Sequence, residues 1–122
     1  QMVRDFTYVD DIVEGVIRVL DQPPEKGDGV SESDRSASAP WRIYNIGNSC
    51  RVQLMDYIRA LEKALGRKAT LELLPMQDGD VPATEADVSA LESDFGYRPQ
   101  VAVEEGVKRF VEWYRSYYSK GG

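Results

Sequence analysis

The sequence predicts an α/β fold on the strength of three observations. Four amphipathic stretches carry apolar residues at three- and four-residue intervals, which is the period of a helix. Short runs rich in β-branched and aromatic residues precede or separate them, which indicates about three strands. The chain has 122 residues, 42% hydrophobic and 30% charged. Those values are typical of one globular domain or of part of one.

The chain begins with a predicted strand and a predicted helix. Residues 3–9 are β-rich, and Asp10 and Asp11 then introduce the helix. Asp11 and Glu14 have the spacing of a capping box, in which side chains satisfy free amides at a helix start. The expected buried stripe of this helix consists of apolar residues, namely Val13, Val16, Ile17 and Leu20.

A loop and a second strand follow. Residues 23–40 shift to Pro, Gly, Ser and charge and contain one bulky apolar side chain, Val30. Such a segment cannot recover its ordering entropy by burial, so we expect a flexible loop. Residues 41–46 then predict a strand, and the turn-forming residues 47–49 end it.

The second half of the chain predicts another helix–strand pair. Apolar residues at helical spacing cover 54–65, and Gly66 suits the left-handed position just past a helix end. Residues 69–74 alternate with one dominant apolar face, which predicts a third strand ended by Pro75.

Two helices complete the chain. Asp87 can cap a short helix that ends at Gly96, and the last helix covers 103–118. The inner face of that last helix is expected to hold Val107, Phe110, Val111, Tyr114 and Tyr117. A sheet this thin has too few partners of its own, so we expect it to complete a larger sheet.

Composition excludes several classes of function. The chain has no histidine, so a Ser-His-Asp triad and histidine-containing metal sites are excluded, and we expect no metal site. The formal charge of −6 argues against a nucleic-acid partner. No apolar run is long enough to cross a membrane, and no signal-peptide layout opens the chain. Cys50 is the single cysteine, which fits a reducing compartment such as the cytoplasm.

Three polar positions are candidate binding residues, and each has a structural alternative. Arg4 lies beside a strand and could bind an anion, or it could form a surface ion pair with Asp5. Asn45 lies at a strand end and could be a ligand or a turn former. Asp80 lies in a polar turn, where it could bind a ligand or form a loop salt bridge. The residues alone leave these alternatives open.

Three sequence blocks, in order, resemble the sugar-nucleotide epimerases and dehydratases of the extended short-chain dehydrogenase/reductase family. The blocks are Arg4–Ile12 (RDFTYVDDI), Tyr44–Asn48 (YNIGN) followed by Leu54–Ile58, and Gly79–Thr84 (GDVPAT) with Ala86-Asp87. The closing Glu104-Glu105-Gly106 and Glu112-Trp113-Tyr114 extend the resemblance over nearly the whole chain. Residues 60–66 and Met76-Gln77 are most similar to UDP-glucuronate 4-epimerases.

The resemblance implies a parent enzyme, an isomerase that binds NAD in an amino-terminal nucleotide-binding domain. The family's catalytic Tyr-x-x-x-Lys pair and its Gly-x-x-Gly-x-x-Gly turn do not occur in this sequence. We therefore expect residues 1–122 to be a single carboxyl-terminal substrate-binding fragment, without the NAD-binding domain. No catalytic or cofactor-binding residue is expected in it, and the fragment alone should bind no NAD and be inactive.

The resemblance also implies roles for four residues in binding a UDP-sugar. Arg4 is the first choice for the diphosphate clamp, since the guanidinium fork fits phosphate oxygens in pairs. Asp80 could order the loop beside the nucleotide by accepting backbone amides, or it could serve only as a turn residue. Tyr8 and Asn45 are the further candidate substrate-binding residues.

Two departures put the identity of the substrate in doubt. UDP-galactose 4-epimerases usually carry an arginine just before the Gly-Asp block, whereas this chain has Met76-Gln77-Asp78, which the UDP-glucuronate branch tolerates. The position before Ala86 is commonly aromatic in the family and is Glu85 here. Either Glu85 faces away from an anionic ligand or the substrate differs from UDP-glucuronate. A 4,6-dehydratase or reductase of the same family, or a freestanding module that binds a nucleotide sugar or a protein partner, are the alternatives.

Self-association is also expected. If the nucleotide-binding domain is missing, apolar side chains that face it should be uncovered, among them Ile12, Val16, Ile43 and Ile46. We expect a homo-oligomer formed through that surface, by pairing of the predicted strand at 41–46 or by exchange of elements.

Overall fold

Two short strands and four helices make up the part of the chain described by the computed structural model, which comprises residues 2–24, 41–75 and 78–119. The elements are β1 (Val3–Asp5), α1 (Val9–Asp21), β2 (Arg51–Gln53), α2 (Leu54–Leu65), α3 (Ser89–Phe95) and α4 (Val103–Tyr118). The expected α/β class and the four helices are confirmed. Most of the loop expected at 23–40 lies outside the described residues.

Strand β1 is the central segment of a small sheet. It pairs with β2 in antiparallel orientation, so that Arg4 lies opposite Val52. On its other side, Val3 forms a parallel bridge with Ala83, and the Val3 amide donates to the Pro82 carbonyl at 3.0 Å. β1 thus joins two segments that are distant from it in sequence.

The strand predictions were only partly correct. The predicted strand at 3–9 ends at Asp5, residues 69–74 form no strand with other described residues, and within 41–46 only Arg42 takes part in a bridge. A strand requires a hydrogen-bonded neighbour, which side-chain alternation alone does not supply. Strand β2 was missed because three residues are too few to show a period and because it continues directly into α2.

The buried face of α1 is not the predicted one. Val13, Val16, Ile17 and Leu20 are exposed, Val16 at 52% and Leu20 at 75%. The buried residues of this helix are Asp11 and Gly15. A Cβ at Gly15 would lie 3.2 Å from Tyr97 Cε2 and 3.3 Å from Ile46 Cδ1, so the helix packs closely on the opposite side. Of the four side chains expected to be uncovered, Ile43 is also exposed, whereas Ile12 and Ile46 are half-buried.

The capping-box expectation for Asp11 was wrong as well. The helix begins at Val9, so Asp11 lies inside the first turn. Its carboxylate accepts the backbone amides of Gln100 and Val101, both at 3.0 Å. Asp11 therefore holds the connection between α3 and α4 against α1. The sequence did not indicate this contact, because the two partner residues lie 89 and 90 positions away.

The hydrophobic core is built around α3 and the segment that follows it. Val88, Leu91 and Tyr97 are buried, and the half-buried residues Ile46 and Tyr44 pack against them. Helix α4 packs on α2 and buries Val107 and Val111, but Phe110, Tyr114 and Tyr117, also predicted to face inward, are exposed.

Helices α2 and α3 end at the glycines that the sequence predicted. Gly66 and Gly96 adopt left-handed conformations with φ of 69° and 61°, and their amides donate to the carbonyls of Glu62 and Glu92. This is the reason for the glycine at each position. None of the helices in the described ranges is long and apolar enough to cross a membrane.

Candidate functional site

Two neighbouring cavities lie where the chain leaves β1, and Thr7 lines both of them. One is an apolar cavity of about 230 Å³ between this segment, α2 and α4. The other is a polar cleft of about 390 Å³ between this segment, the turn after residue 45 and the segment before α3. The three sequence blocks therefore meet here in space.

Aromatic rings form much of the apolar cavity. Phe6 stacks on Tyr57 with ring centroids 4.1 Å apart and an interplanar angle of 15°. Tyr8, a predicted site residue, is half-buried, and the Arg109 guanidinium lies 5.6 Å from its ring centroid. A Cβ at Gly106 would lie 3.1 Å from Tyr8 Cδ2, so glycine at that position lets α4 approach the ring.

The polar cleft contains Asn45, the second predicted site residue to line a cavity. Asn45 is exposed at the cleft, and Glu85 also lines it. Glu85 accepts a hydrogen bond from Arg51 Nε, so its charge is compensated by an ion pair. Glu85 thus lies at the cleft with its carboxylate paired to Arg51, and the two alternatives stated for it stay open.

Asp87 lines the same cleft and accepts a hydrogen bond from the start of α3. Its Oδ1 accepts the Ser89 amide at 3.0 Å, two residues later, so it acts just before the helix rather than at its N-cap, Val88. Hydrogen bonds from the Ser89 hydroxyl and backbone amide hold the pKa of Asp87 below its usual value. The carboxylate is thus an acceptor for the helix start.

Arg4 lies in the middle of β1 and is half-buried. Its Nη1 donates to the Val3 carbonyl at 3.0 Å. The alternative of an ion pair with Asp5 is wrong, since the Asp5 carboxylate accepts three backbone amides elsewhere and successive side chains of a strand point to opposite faces. The Arg4 guanidinium therefore keeps donors that no carboxylate of the described residues occupies.

Asp80 is exposed and follows Gly79, whose φ is 90°. Its segment is tied to β1 at Thr84, whose amide donates to the Val3 carbonyl at 3.1 Å. Within the described ranges no hydrogen bond joins Arg4, Asn45 and Asp80 directly. Met76 and Gln77, which mark one departure from the family, lie outside the described residues.

Asp5 was not recognised as a site residue from the sequence. Its Oδ1 accepts the amide of Asn48 at 3.1 Å, and its Oδ2 accepts the amides of Ser49 at 2.9 Å and Ala86 at 3.2 Å. One carboxylate thus binds both walls of the polar cleft. In the sequence, the feature that could have indicated this role is the position of Asp5 between Arg4, a predicted ligand, and Phe6, an aromatic residue of the first block.

Tyr97 supports the same region from the core. It is 1% exposed, and its hydroxyl donates to the Gly47 carbonyl at 3.3 Å. Burial raises the pKa of Tyr97, and the negative charges of Asp11 and Asp5 raise it further. The phenol therefore stays protonated and can donate at neutral pH.

Neither strand-to-helix connection fits the diphosphate of a dinucleotide. The connection from β1 to α1 is Phe6-Thr7-Tyr8, and β2 continues into α2 with Gln53 as the N-cap. A dinucleotide site needs glycines at such a turn so that backbone amides can approach the phosphates. The described residues therefore do not provide that cradle.

Comparison with known proteins finds relatives that match nearly the whole chain. No family model matches the chain. A 37.6 kDa protein of Escherichia coli O111:H- is 51% identical over 121 residues, which cover 97% of this chain and 36% of that protein. A probable UDP-glucuronate 4-epimerase of Rhizobium meliloti is 45% identical over 124 residues, covering 98% of this chain and 36% of that protein. The chain matches the carboxyl-terminal portion of an extended short-chain dehydrogenase/reductase epimerase.

A solved epimerase structure has a similar fold over the matched part. UDP-glucuronic acid 4-epimerase from Bacillus cereus, in complex with UDP-glucuronic acid and NAD, superposes with a TM-score of 0.74 at 27% identity. The match covers 96% of this chain and 33% of that one. The chain thus spans about a third of the length of the epimerases that it resembles, and the predicted resemblance to UDP-glucuronate 4-epimerases is confirmed.

Proposed function

We propose that this chain forms the UDP-sugar-binding portion of an NAD-dependent 4-epimerase that interconverts UDP-glucuronate and UDP-galacturonate. The observation that carries the proposal is the 45% identity to a probable UDP-glucuronate 4-epimerase over nearly the whole chain. The meeting of all three sequence blocks at two adjoining cavities supports it further. The parent protein is then an isomerase.

Arg4 is assigned to the diphosphate of the substrate. A guanidinium presents paired N–H donors that match two phosphate oxygens. Arg4 is held on the central strand of the sheet, beside the segment that lines both cavities, and no carboxylate of the described residues forms an ion pair with it. Tyr8 and Asn45 contact the nucleotide sugar from the apolar cavity and the polar cleft. Asp80 orders the loop beside the nucleotide.

The ion pair at the cleft makes Glu85 compatible with an anionic sugar. A free Glu85 carboxylate would repel the carboxylate of a uronic acid, whereas one paired with Arg51 repels it less. This supports UDP-glucuronate despite the departure at Glu85.

NAD is assigned to the part of the parent protein outside this chain, because the connections before α1 and α2 do not fit a dinucleotide. The catalytic residues are assigned there too, because the family's Tyr-x-x-x-Lys pair does not occur in this sequence. The chain by itself should therefore be inactive. We further infer a homo-oligomeric protein in the cytoplasm: the exposed apolar face of α1 favours association of the isolated chain, and the single cysteine fits a reducing compartment.

The test uses the full-length protein that carries this chain. Incubation with UDP-glucuronate should yield UDP-galacturonate, and UDP-glucose should react far more slowly. Arg4→Ala should raise KM about tenfold or more by removing charge-assisted hydrogen bonds, with NAD content unchanged. Arg59→Ala, an exposed arginine on α2, is the matched control. A 4,6-dehydrated or reduced product, or unaltered KM in Arg4→Ala, would contradict the assignment.

A further inference from the structure

Three segments of the chain converge on the Asp5 carboxylate. Asp5 belongs to β1, and its three amide partners come from the turn at 48–49 and from Ala86. The first partner segment carries Asn45 three residues upstream, and the second carries Glu85 next to Ala86. Since Asp5 adjoins Arg4 in β1, a single carboxylate connects the strand that carries Arg4 to the backbones of both cleft walls.

The turn bound by Asp5 is held in an uncommon conformation. Ser49 has a φ of 49°, in the left-handed region that a residue with a side chain rarely adopts. Its amide donates to Asp5 at 2.9 Å, and its Oγ donates to the Ala86 carbonyl at 3.0 Å. Such a conformation persists only where its surroundings fix it, and here contacts on both sides do so.

Close packing around the turn leaves no space for a side chain at position 47. A Cβ at Gly47 would lie 2.4 Å from Ala86 Cβ and 2.9 Å from Asp5 Oδ2. The Gly47 carbonyl also accepts the buried Tyr97 hydroxyl. The turn is therefore held between the core beneath it and the Asp5 carboxylate beside it.

We propose that Asp5 is a positioning residue for the nucleotide-sugar site, one that sets the width of the polar cleft and the orientation of the Asn45 and Glu85 walls relative to Arg4. The proposal rests on the proposed function, because it assumes that the substrate occupies this cleft. Asp5 itself has its lone pairs directed to backbone amides and is not required to touch the substrate. Its effect is transmitted through the backbone of the two walls.

The variant Asp5→Asn tests the proposal, with Asp11→Asn as the matched control. Both aspartates accept backbone amides from distant segments, but Asp11 binds Gln100 and Val101, of which Val101 lines the apolar cavity, and it contacts neither wall of the polar cleft. An asparagine carries one acceptor oxygen and an NH₂ group that meets the amide donors unfavourably. In the full-length protein, Asp5→Asn should raise KM for UDP-glucuronate about tenfold and leave kcat nearly unchanged. Asp11→Asn should leave KM within about twofold of wild type.

A second measurement is independent of catalysis. Amide hydrogen exchange should show lost protection at Asn48, Ser49 and Ala86 in Asp5→Asn, and unchanged protection there in Asp11→Asn. Binding of UDP by the same proteins should weaken in Asp5→Asn alone. Lost protection with unchanged KM and UDP affinity would overturn the positioning role, as would an equal rise of KM in both variants.

A milder variant covers the case in which Asp5→Asn does not fold. Ser49→Ala removes the Oγ link to Ala86 from an exposed residue and should raise KM about threefold, with kcat unchanged. An unchanged KM in Ser49→Ala would then count against the proposal. A wild-type protein that neither binds UDP nor turns over UDP-sugars would instead refute the proposed function, while the exchange result would still decide the role of Asp5 in the turn.

Discussion

The Asp11 carboxylate accepts the backbone amide of Val101 at 3.0 Å across ninety positions of sequence. The same side chain accepts the Gln100 amide from its other oxygen, so both oxygens of a nearly buried carboxylate are satisfied by the chain just before α4. Hydrogen bonds to a charged acceptor are stronger than neutral ones. This one side chain therefore joins the first helix to the last.

Asp11→Asn should lower the free energy of unfolding of the 122-residue chain by about 2 kcal/mol, because one charged acceptor for two amides is replaced by a neutral oxygen and a donor. Urea unfolding followed by circular dichroism measures the change. Asp10→Asn is the control, since Asp10 is exposed and its contact with Arg109 is long, at 3.8 Å. Equal losses in the two variants would contradict the importance of the buried contact.

Tyr97 predicts a sensitivity to alkaline pH. Its pKa is raised by burial and by the charges of Asp11 and Asp5, so the folded chain retains a proton that the unfolded chain releases above pH about 10. The stability linked to Tyr97 is present below that pH and declines as pH rises toward the folded pKa. Unfolding measured between pH 8 and about 11 should show this decline.

Tyr97→Phe is the variant that isolates this effect. It should reduce stability at neutral pH by about 1 kcal/mol through loss of the hydrogen bond to Gly47, and its stability should vary less with alkaline pH. Tyr44 also has a raised pKa, through burial and then through Asp94, so Tyr44→Phe is the comparison. An alkaline decline in Tyr97→Phe as steep as in wild type would exclude Tyr97 as its source.

Gly47 and Gly66 are glycines for different reasons, and alanine substitutions should separate them. Gly47→Ala should destabilise the chain by about 2–3 kcal/mol or more, because the added carbon overlaps Ala86 and Asp5. Gly66→Ala meets no atom within 4 Å, so only its left-handed backbone, with φ of 69°, is penalised, at about 1 kcal/mol. Thermal unfolding of both variants provides the comparison, and a larger loss in Gly66→Ala would contradict the steric argument.

The ion pair between Arg51 and Glu85 predicts that the effect of an Arg51 substitution on KM depends on the charge of the sugar. Arg51→Gln leaves Glu85 unpaired at the cleft, so KM for UDP-glucuronate should rise about three- to tenfold in the full-length protein, while KM for a neutral UDP-sugar changes little. Glu85→Gln should not raise KM for UDP-glucuronate. Replacement of Glu85 by Tyr, the aromatic class common in the family, tests whether this position selects the sugar. Equal effects on charged and neutral substrates would refute the electrostatic explanation.

The sequence predicted the helices better than the strands, for a physical reason. Helix ends depend on local features, and Gly66 and Gly96 marked two of them correctly. A strand depends on a partner elsewhere in the chain, so the alternating pattern at 69–74 was not sufficient. The role of Asp5 was missed for the same reason, since its partners lie 43 to 81 residues away. A polar side chain that binds distant amides leaves no period in the sequence.

The exposed face of α1 predicts self-association of the 122-residue chain. The face consists of Val9, Val13, Val16, Ile17 and Leu20, all exposed. Burial of apolar surface contributes about 25 cal/mol per Å², so a continuous apolar helix face in water favours association. This helix face is the predicted contact, and pairing of the segment at 41–46 is the alternative.

Light scattering at tens of micromolar should find the wild-type chain associated and Ile17→Glu monomeric, because a carboxylate on the face must be desolvated on association. Leu73→Glu is the control: Leu73 is 88% exposed but lies outside the face, so this variant should associate like wild type. A monomeric wild-type chain would contradict the prediction. Monomers in both variants would show that added negative charge, and not the α1 face, controls assembly, since the chain already carries a net charge of −6.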